Sequence, residues 1–212
     1  MKYAAKEGKM AINLQKGQKV SLKKNTSAGL GEILVNLNWN SKPANRGFLA
    51  SLFGSDSGID LDLGCLYELK NGRKGTVQAL GKAFGSLTNE PYIALDGDDR
   101  TGDSATGENL RINGNHLKDI KRVLVYTFIY EGVANWRQAD AKVTIKYPGA
   151  EDIIVKMDEY DSSNIMCGLA LFENVNDETF SVEKLVKFYR GHEALDRAYN
   201  WNMKWTPGKN NA

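Results

Sequence analysis

The chain has 212 residues, 42% of them hydrophobic, and a formal net charge of +2. That is enough apolar material for a substantial core, which excludes wholesale disorder, and the small net charge excludes bulk electrostatic binding of nucleic acid. No run of about eighteen apolar residues occurs, so no membrane-spanning helix is expected. The opening "MKYAAKEGKM" lacks the continuous apolar stretch of a secretion signal. Cys65 and Cys167 are too few for a disulfide framework, and each sits in an apolar run that reads as a strand. Both are expected to be free buried thiols, which fits a reduced, cytoplasmic protein.

Taken in chain order, residues 1–9 read as an extension and 10–206 as one domain that opens on "MAINLQKGQKVSL". "EILVNLNW" alternates, placing Ile33, Val35, Leu37 and Trp39 on one strand face. Residues 40–58 read as a long loop. "IDLDLGCLYEL" alternates again, with Ile59, Leu61, Leu63, Cys65 and Tyr67 inward and Asp60 and Asp62 on a face expected to meet solvent. "PYIAL" and "LRIN" are short strands flanking an acidic loop. "NHLKDIKRV" reads as a turn of helix capped by Asn115. "VLVYTFIYEG" is apolar on both faces and reads as a central strand. "KVTIKY" and "DIIVKM" form a hairpin about Pro148-Gly149. Two long strands, "NIMCGLALFENV" and "TFSVEKLVKFYRG", follow around "NDE". "HEALDRAYN" reads as a short helix, "WNMKW" as a last strand and 207–212 as a loose tail. About ten to twelve strands with few helical turns make this an all-β sandwich of two antiparallel or mixed sheets.

The chemistry is concentrated in "LDGDDRTGDSATGENLRIN". Asp96, Asp98, Asp99, Asp103 and Glu108 crowd together with Arg100 as the one base among them. Adjacent like charges repel by roughly 1 kcal/mol per pair in water, so a compensating cation is expected. Oxygen-only donors with glycines at 97, 102 and 107, and no His or Cys beside them, fit Ca²⁺ better than Mg²⁺. Asp60 and Asp62 can join such a site if the end of their strand lies beside the loop. An EF-hand is excluded: counting from Asp96, Arg100, Thr101 and Gly107 stand where an acid or amide, a Gly and a Glu are required. The plain reading of the same acids is a solvated, solubilising loop.

Other constellations are weaker. His116 and His192 lack a carboxylate-and-nucleophile pattern, and no phosphate-binding or dinucleotide loop is present. Paired carboxylates also admit a sandwich hydrolase acting on carbohydrate or phosphoester. Trp136, Trp201 and Trp205 read as packing residues rather than a ligand platform.

Together "MAINLQKGQKVSLKK", "DLDLGCLYEL" and "LDGDDRTGDSATGENLRI" resemble the TerD family of tellurium-resistance and stress proteins, and the later half is more similar to its TerA branch. The resemblance covers most of residues 10–206. It implies a calcium-binding, non-enzymatic β-sandwich, with Asp60 and Asp62 matching the DLD pair, Asp98 and Asp99 the loop acids, and Glu108 the closing acid. With Asp96 added from the loop itself, these residues are the expected metal ligands. It further implies other tellurium-resistance proteins as partners, a membrane protein of the TerC type among them, and cytoplasmic homo- or hetero-oligomers. Thr106-Gly107-Glu108 and Asn40 depart from the family's more acidic pattern, which implies that one of two calcium sites is weakened.

Overall fold

In a computed structural model of the chain, residues 11–23, 29–40, 59–96, 107–131 and 136–206 are described. The first half contributes β1 (Ala11–Asn13), β2 (Lys19–Ser21), β3 (Glu32–Asn38), β4 (Asp60–Leu69), β5 (Lys74–Gln78), β6 (Gly85–Ser86), β7 (Ile93–Leu95) and β8 (Glu108–Asn113). The second contributes β9 (Ile120–Glu131), α1 (Trp136–Ala139), β10 (Lys142–Lys146), β11 (Asp152–Lys156), β12 (Met166–Val175), β13 (Thr179–Tyr189) and α2 (His192–Ala198). The strands form two sheets, ordered β1-β11-β10-β3-β8-β7-β6 and β2-β13-β12-β9-β4-β5. All pairings are antiparallel except β1 with β11, so the expected mixed sandwich is what forms.

Alternation explains the layering. Ile33, Val35 and Leu37 of β3 and Leu61, Leu63, Cys65 and Tyr67 of β4 face each other across one inter-sheet core. The β10–β11 hairpin closes over Pro148-Gly149 as the turn residues require. β9 pairs with both β4 and β12 and is buried on both sides, the place expected for its continuous apolar run.

The structure corrects three expectations. The "NHLKDIKRV" stretch forms a single 3-10 turn at Gly114–His116 before β9 begins, and its cap is Asn113, whose side chain accepts from Asn115 N–H at 3.1 Å. An Asn at a strand end can bond the backbone two residues on, which Asn115 cannot do for its own N–H. "WNMKW" is not a strand. Asn200 and Asn202 take left-handed φ values of 54° and 57°, incompatible with extended pairing. Asp196 instead gathers this segment, accepting from Asn202 N–H, Met203 N–H and Trp205 Nε1–H at 2.9, 3.0 and 3.1 Å.

The third correction concerns the face of β4 that carries Asp60 and Asp62. It is covered rather than solvated: Leu66, Leu124, Tyr126, Phe128, Leu195 and Trp201 form a second apolar cluster beneath α2 and residues 199–205. A charged clamp fixes that cover. Buried Glu68 accepts from Lys121 Nζ at 2.8 Å and Arg122 Nε at 2.6 Å. Arg122 donates onward to Tyr199 O and Asn200 O, and its guanidinium lies 3.7 Å from the centre of the Trp201 ring. Trp201 Nε1–H in turn donates to Tyr67 O at 3.0 Å.

Burial alone would raise the Glu68 carboxyl, but hydrogen bonds from Lys121 and Arg122 outweigh it and hold the group below its ordinary value. A depressed carboxyl stabilises the fold above its unfolded value and loses that contribution as pH falls through the folded one. Glu68→Gln is therefore expected to cost about 3 kcal/mol at neutral pH by denaturant titration, with the gap to the native chain closing in acid. Burial pushes the Cys65 thiol up to about 12 and the Cys167 thiol further in the same direction. Both thiols should resist a disulfide reagent in the native protein and react only after denaturation.

Candidate functional site

The end of the sandwich at which β3 finishes and β4 and β8 begin brings the acidic stretches together. Trp39, just past β3, donates Nε1–H to Ile59 O at 3.0 Å, tying the end of one sheet to the start of β4 in the other. Asp96 N–H donates to Asn109 O at 2.9 Å, so the chain leaves for 97–106 and returns beside its own point of departure. Gly107 makes the return possible: its φ is +59°, and a Cβ there would stand 2.1 Å from Leu37 O. An acidic side chain at 107 is excluded by that approach.

Glu108 opens β8 opposite Leu37 and shares the inward face of Leu110 and Ile112. Only 3% exposed, it crosses to the other sheet, where its Oε2 accepts from Leu63 N–H at 2.5 Å. The register leaves room for this: β5 meets β4 only from Gly64, opposite Gln78, so Leu63 lies beyond the end of β5. Asp62, next to Leu63, is 4% exposed and points to the opposite face of β4, toward Tyr126. The peptide N–H that Glu108 accepts is thus the one that directly follows buried Asp62. Asp60, half-buried, begins the same strand and shares Asp62's face.

Asp96 is placed differently. It follows β7 on the outer face of the first sheet, where Arg111 donates Nε–H and Nη2–H to its carboxylate at 2.8 to 3.0 Å. Arg111 Nη1 also donates to Glu32 at 2.5 Å, and these hydrogen bonds, Asp96's foremost, raise the guanidinium's pKa. Arg111 is thus the counter-ion of Asp96, a pairing that reading the sequence missed. Asp98, Asp99 and Arg100 lie outside the described residues. Among the described residues no group of three or more His, Cys, Asp or Glu side chains is placed to hold a metal. Asp60, Asp62 and Glu108 lie at the same end of the sandwich and supply oxygen alone, the chemistry a hard cation requires.

The two histidines have no common site. His116 stacks on Tyr92 with ring centres 3.9 Å apart and its Nδ1 lies 2.9 Å from Asp119 Oδ2. His192 is packed against the outer face of the second sheet, beside Tyr126 and Phe128.

Comparison with known proteins places the chain among relatives. The TerD domain family model matches residues 10–147. Tellurium resistance protein TerA of Alcaligenes sp is 44% identical over 85% of this chain and 53% of its own length. Stress response protein SCP2 of Bacillus subtilis (strain 168) is 33% identical over 54% of each. Tellurium resistance protein TerX of Serratia marcescens is 30% identical over 58% of this chain and 64% of its own. The chain therefore spans about half to two thirds of the length of these relatives. A crystal structure of a homologue of telluride resistance protein (TerD) from Streptomyces coelicolor A3(2) shares the fold, with a TM-score of 0.51, 18% identity, and coverage of 79% of this chain and 95% of that one. A match over most of the described sandwich and a relative this similar over nearly all of the chain lead to one conclusion: the chain belongs to the TerD-domain family.

Proposed function

We infer that this chain is a calcium-binding, non-enzymatic interaction module serving tellurium resistance and stress response. The observation that carries the reading is Glu108, which crosses between the sheets to Leu63 N–H and so brings the acidic loop's end to the strand of Asp60 and Asp62. The names of the related proteins support the biological setting. A bound calcium ion would supply the double positive charge that such carboxylates call for. Asp60, Asp62, Asp98, Asp99 and Glu108 would hold it, with backbone oxygens at the loop glycines completing a shell of six to eight ligands. Asp96, occupied by Arg111, anchors the loop's departure point rather than the ion. The ordered loop would then present a surface to other tellurium-resistance proteins, including a membrane protein of the TerC type, in a cytoplasmic homo- or hetero-oligomer.

Glu108 has two separable roles. As an acceptor it satisfies Leu63 N–H; as a charge it draws a cation. Glu108→Ala should cost about 1–3 kcal/mol in chelator-treated protein, because a buried N–H loses its partner. Glu108→Gln keeps an acceptor and should cost less, a ranking that chemical denaturation reads directly.

Calcium added to chelator-treated protein should raise Tm. A hundredfold excess over Kd contributes about 2.7 kcal/mol by linkage, roughly 5–10 °C for a chain of this size. Asp62→Asn and Glu108→Gln should each lose most of that rise, and magnesium should give less. A Tm indifferent to millimolar calcium would sink the reading. Turnover of a glycoside or phosphoester, abolished by Asp98→Asn, would instead establish a hydrolase.

A further inference from the structure

A second site lies on the covered face of the second sheet, away from the acidic end. A cavity of about 620 Å³ opens between the β4–β5 hairpin, the 3-10 turn at Leu80–Lys82 and residues Asn202–Thr206. That volume falls within the range of small-molecule sites. Its lining includes Lys74, Lys204, Gln78, His192, Met203 and Trp205, with no Asp or Glu among the described residues. The two lysines on the lining favour an anion, with the carboxylates of Glu68, 3.9 Å from Lys74, and Asp196, bonded to Trp205, set behind the wall.

The walls are held in place before any ligand arrives. Trp205 donates Nε1–H to the buried carboxylate of Asp196, which also holds the backbone of Asn202 and Met203. Left-handed Asn200 and Asn202 fold this segment back over the sheet. Lys74 is fixed by donation to Trp201 O at 2.7 Å and lies 3.9 Å from Glu68, whereas Lys204 has no ion-pair partner among the described residues. Gln78 Oε1 accepts from Tyr126 Oη–H at 2.6 Å and from His192 Nε2–H at 2.8 Å. The His192 hydrogen is therefore on Nε2, and Nδ1 keeps its lone pair. Desolvation lowers the ring's pKa to about 4, so it is a neutral polar wall at physiological pH. His192 and Trp205 stand with ring centres 5.1 Å apart.

We propose that this cavity binds a small aromatic anion, its ring against Trp205 and Met203 and its phosphate or carboxylate at Lys204 and Lys74. The indole offers a preoriented stacking surface, and the two ammonium groups offer the charge on the lining among the described residues. The described lining, which holds lysines and none of the proposed calcium ligands, separates this site from the calcium reading, so treatment with chelator should leave binding intact.

NMR of the intact chain, following the His192 ring and the Trp205 indole, tests this with four probes: naphthyl phosphate, naphthoate, neutral naphthol and inorganic phosphate. At least one naphthyl anion should shift both sets of resonances with Kd below about 1 mM, and naphthol and inorganic phosphate should each bind about tenfold more weakly. The preferred anion, phosphate or carboxylate, identifies the headgroup. Lys204→Ala, at an exposed position, should weaken that anion about tenfold, and Trp205→Phe should weaken it less than Trp205→Ala. The proposal fails if neither anion shifts these resonances at about 5 mM, if naphthol binds as tightly as the anions, or if Lys204→Ala leaves affinity unchanged.

Discussion

The second sheet is covered twice, and the rest of the molecule follows from that. Its inner face packs on the first sheet; its outer face lies beneath α2 and the segment from Tyr199 to Trp205. Apolar burial supplies most of the stabilisation, but the outer cover is short and irregular and needs directional fixing. Glu68 provides it, by holding Lys121 and Arg122 so that the guanidinium lies over Trp201 and bonds the carbonyls of Tyr199 and Asn200. A charge so deeply placed is tolerable because two cations satisfy it.

Double covering also sets the electrostatics of the acidic end. On a sheet with one wet face, Asp62 would be a solubilising residue of little consequence. Here it is buried, next in the chain to the Leu63 N–H that equally buried Glu108 accepts. Two carboxylates taken from water in one place are costly unless cations or donors compensate them. Leu63 N–H supplies part of that compensation to Glu108. Asp96 shows the contrast: on the outer face of the other sheet, it is matched by Arg111.

Much of this was legible in the residues. Period-two alternation identified the inward faces of β3 and β4, and the unbroken apolar run of β9 marked a central strand, because those signals report local burial directly. The misses share a cause. The Asp96–Arg111 pair depends on register: Arg111 stands opposite Ala94, one diagonal step from Asp96, and no local pattern carries that information. "WNMKW" has strand composition, yet the side chain of Asp196 and two left-handed asparagines override it. The burial of Asp62 was hidden because it depends on residues more than a hundred positions later folding back over β4. Gly107, noticed as a missing acid, turns out to be required by the close approach of Leu37 O.

The acidic end and the lysine-lined cavity are not independent pieces of surface. Tyr126 stands between them on the shared outer face of the second sheet. Burial is the main cause that raises its phenol's pKa, and the negative charges of Cys65, were it ionised, and of Asp62 act in the same direction. A protonated phenol is a donor, and this one donates to Gln78, whose carbonyl oxygen also receives His192 Nε2–H at the cavity wall. The carboxylate of Asp62 therefore favours the protonation state that orients Gln78 and, through it, His192. Since a tyrosine phenol is neutral at physiological pH even without that charge, loss of the Asp62 charge would leave this chain of donors intact. The two sites share a scaffold and a direction of electrostatic bias, and each retains its own geometry because the clamp at Glu68 holds the cover on which the cavity is built.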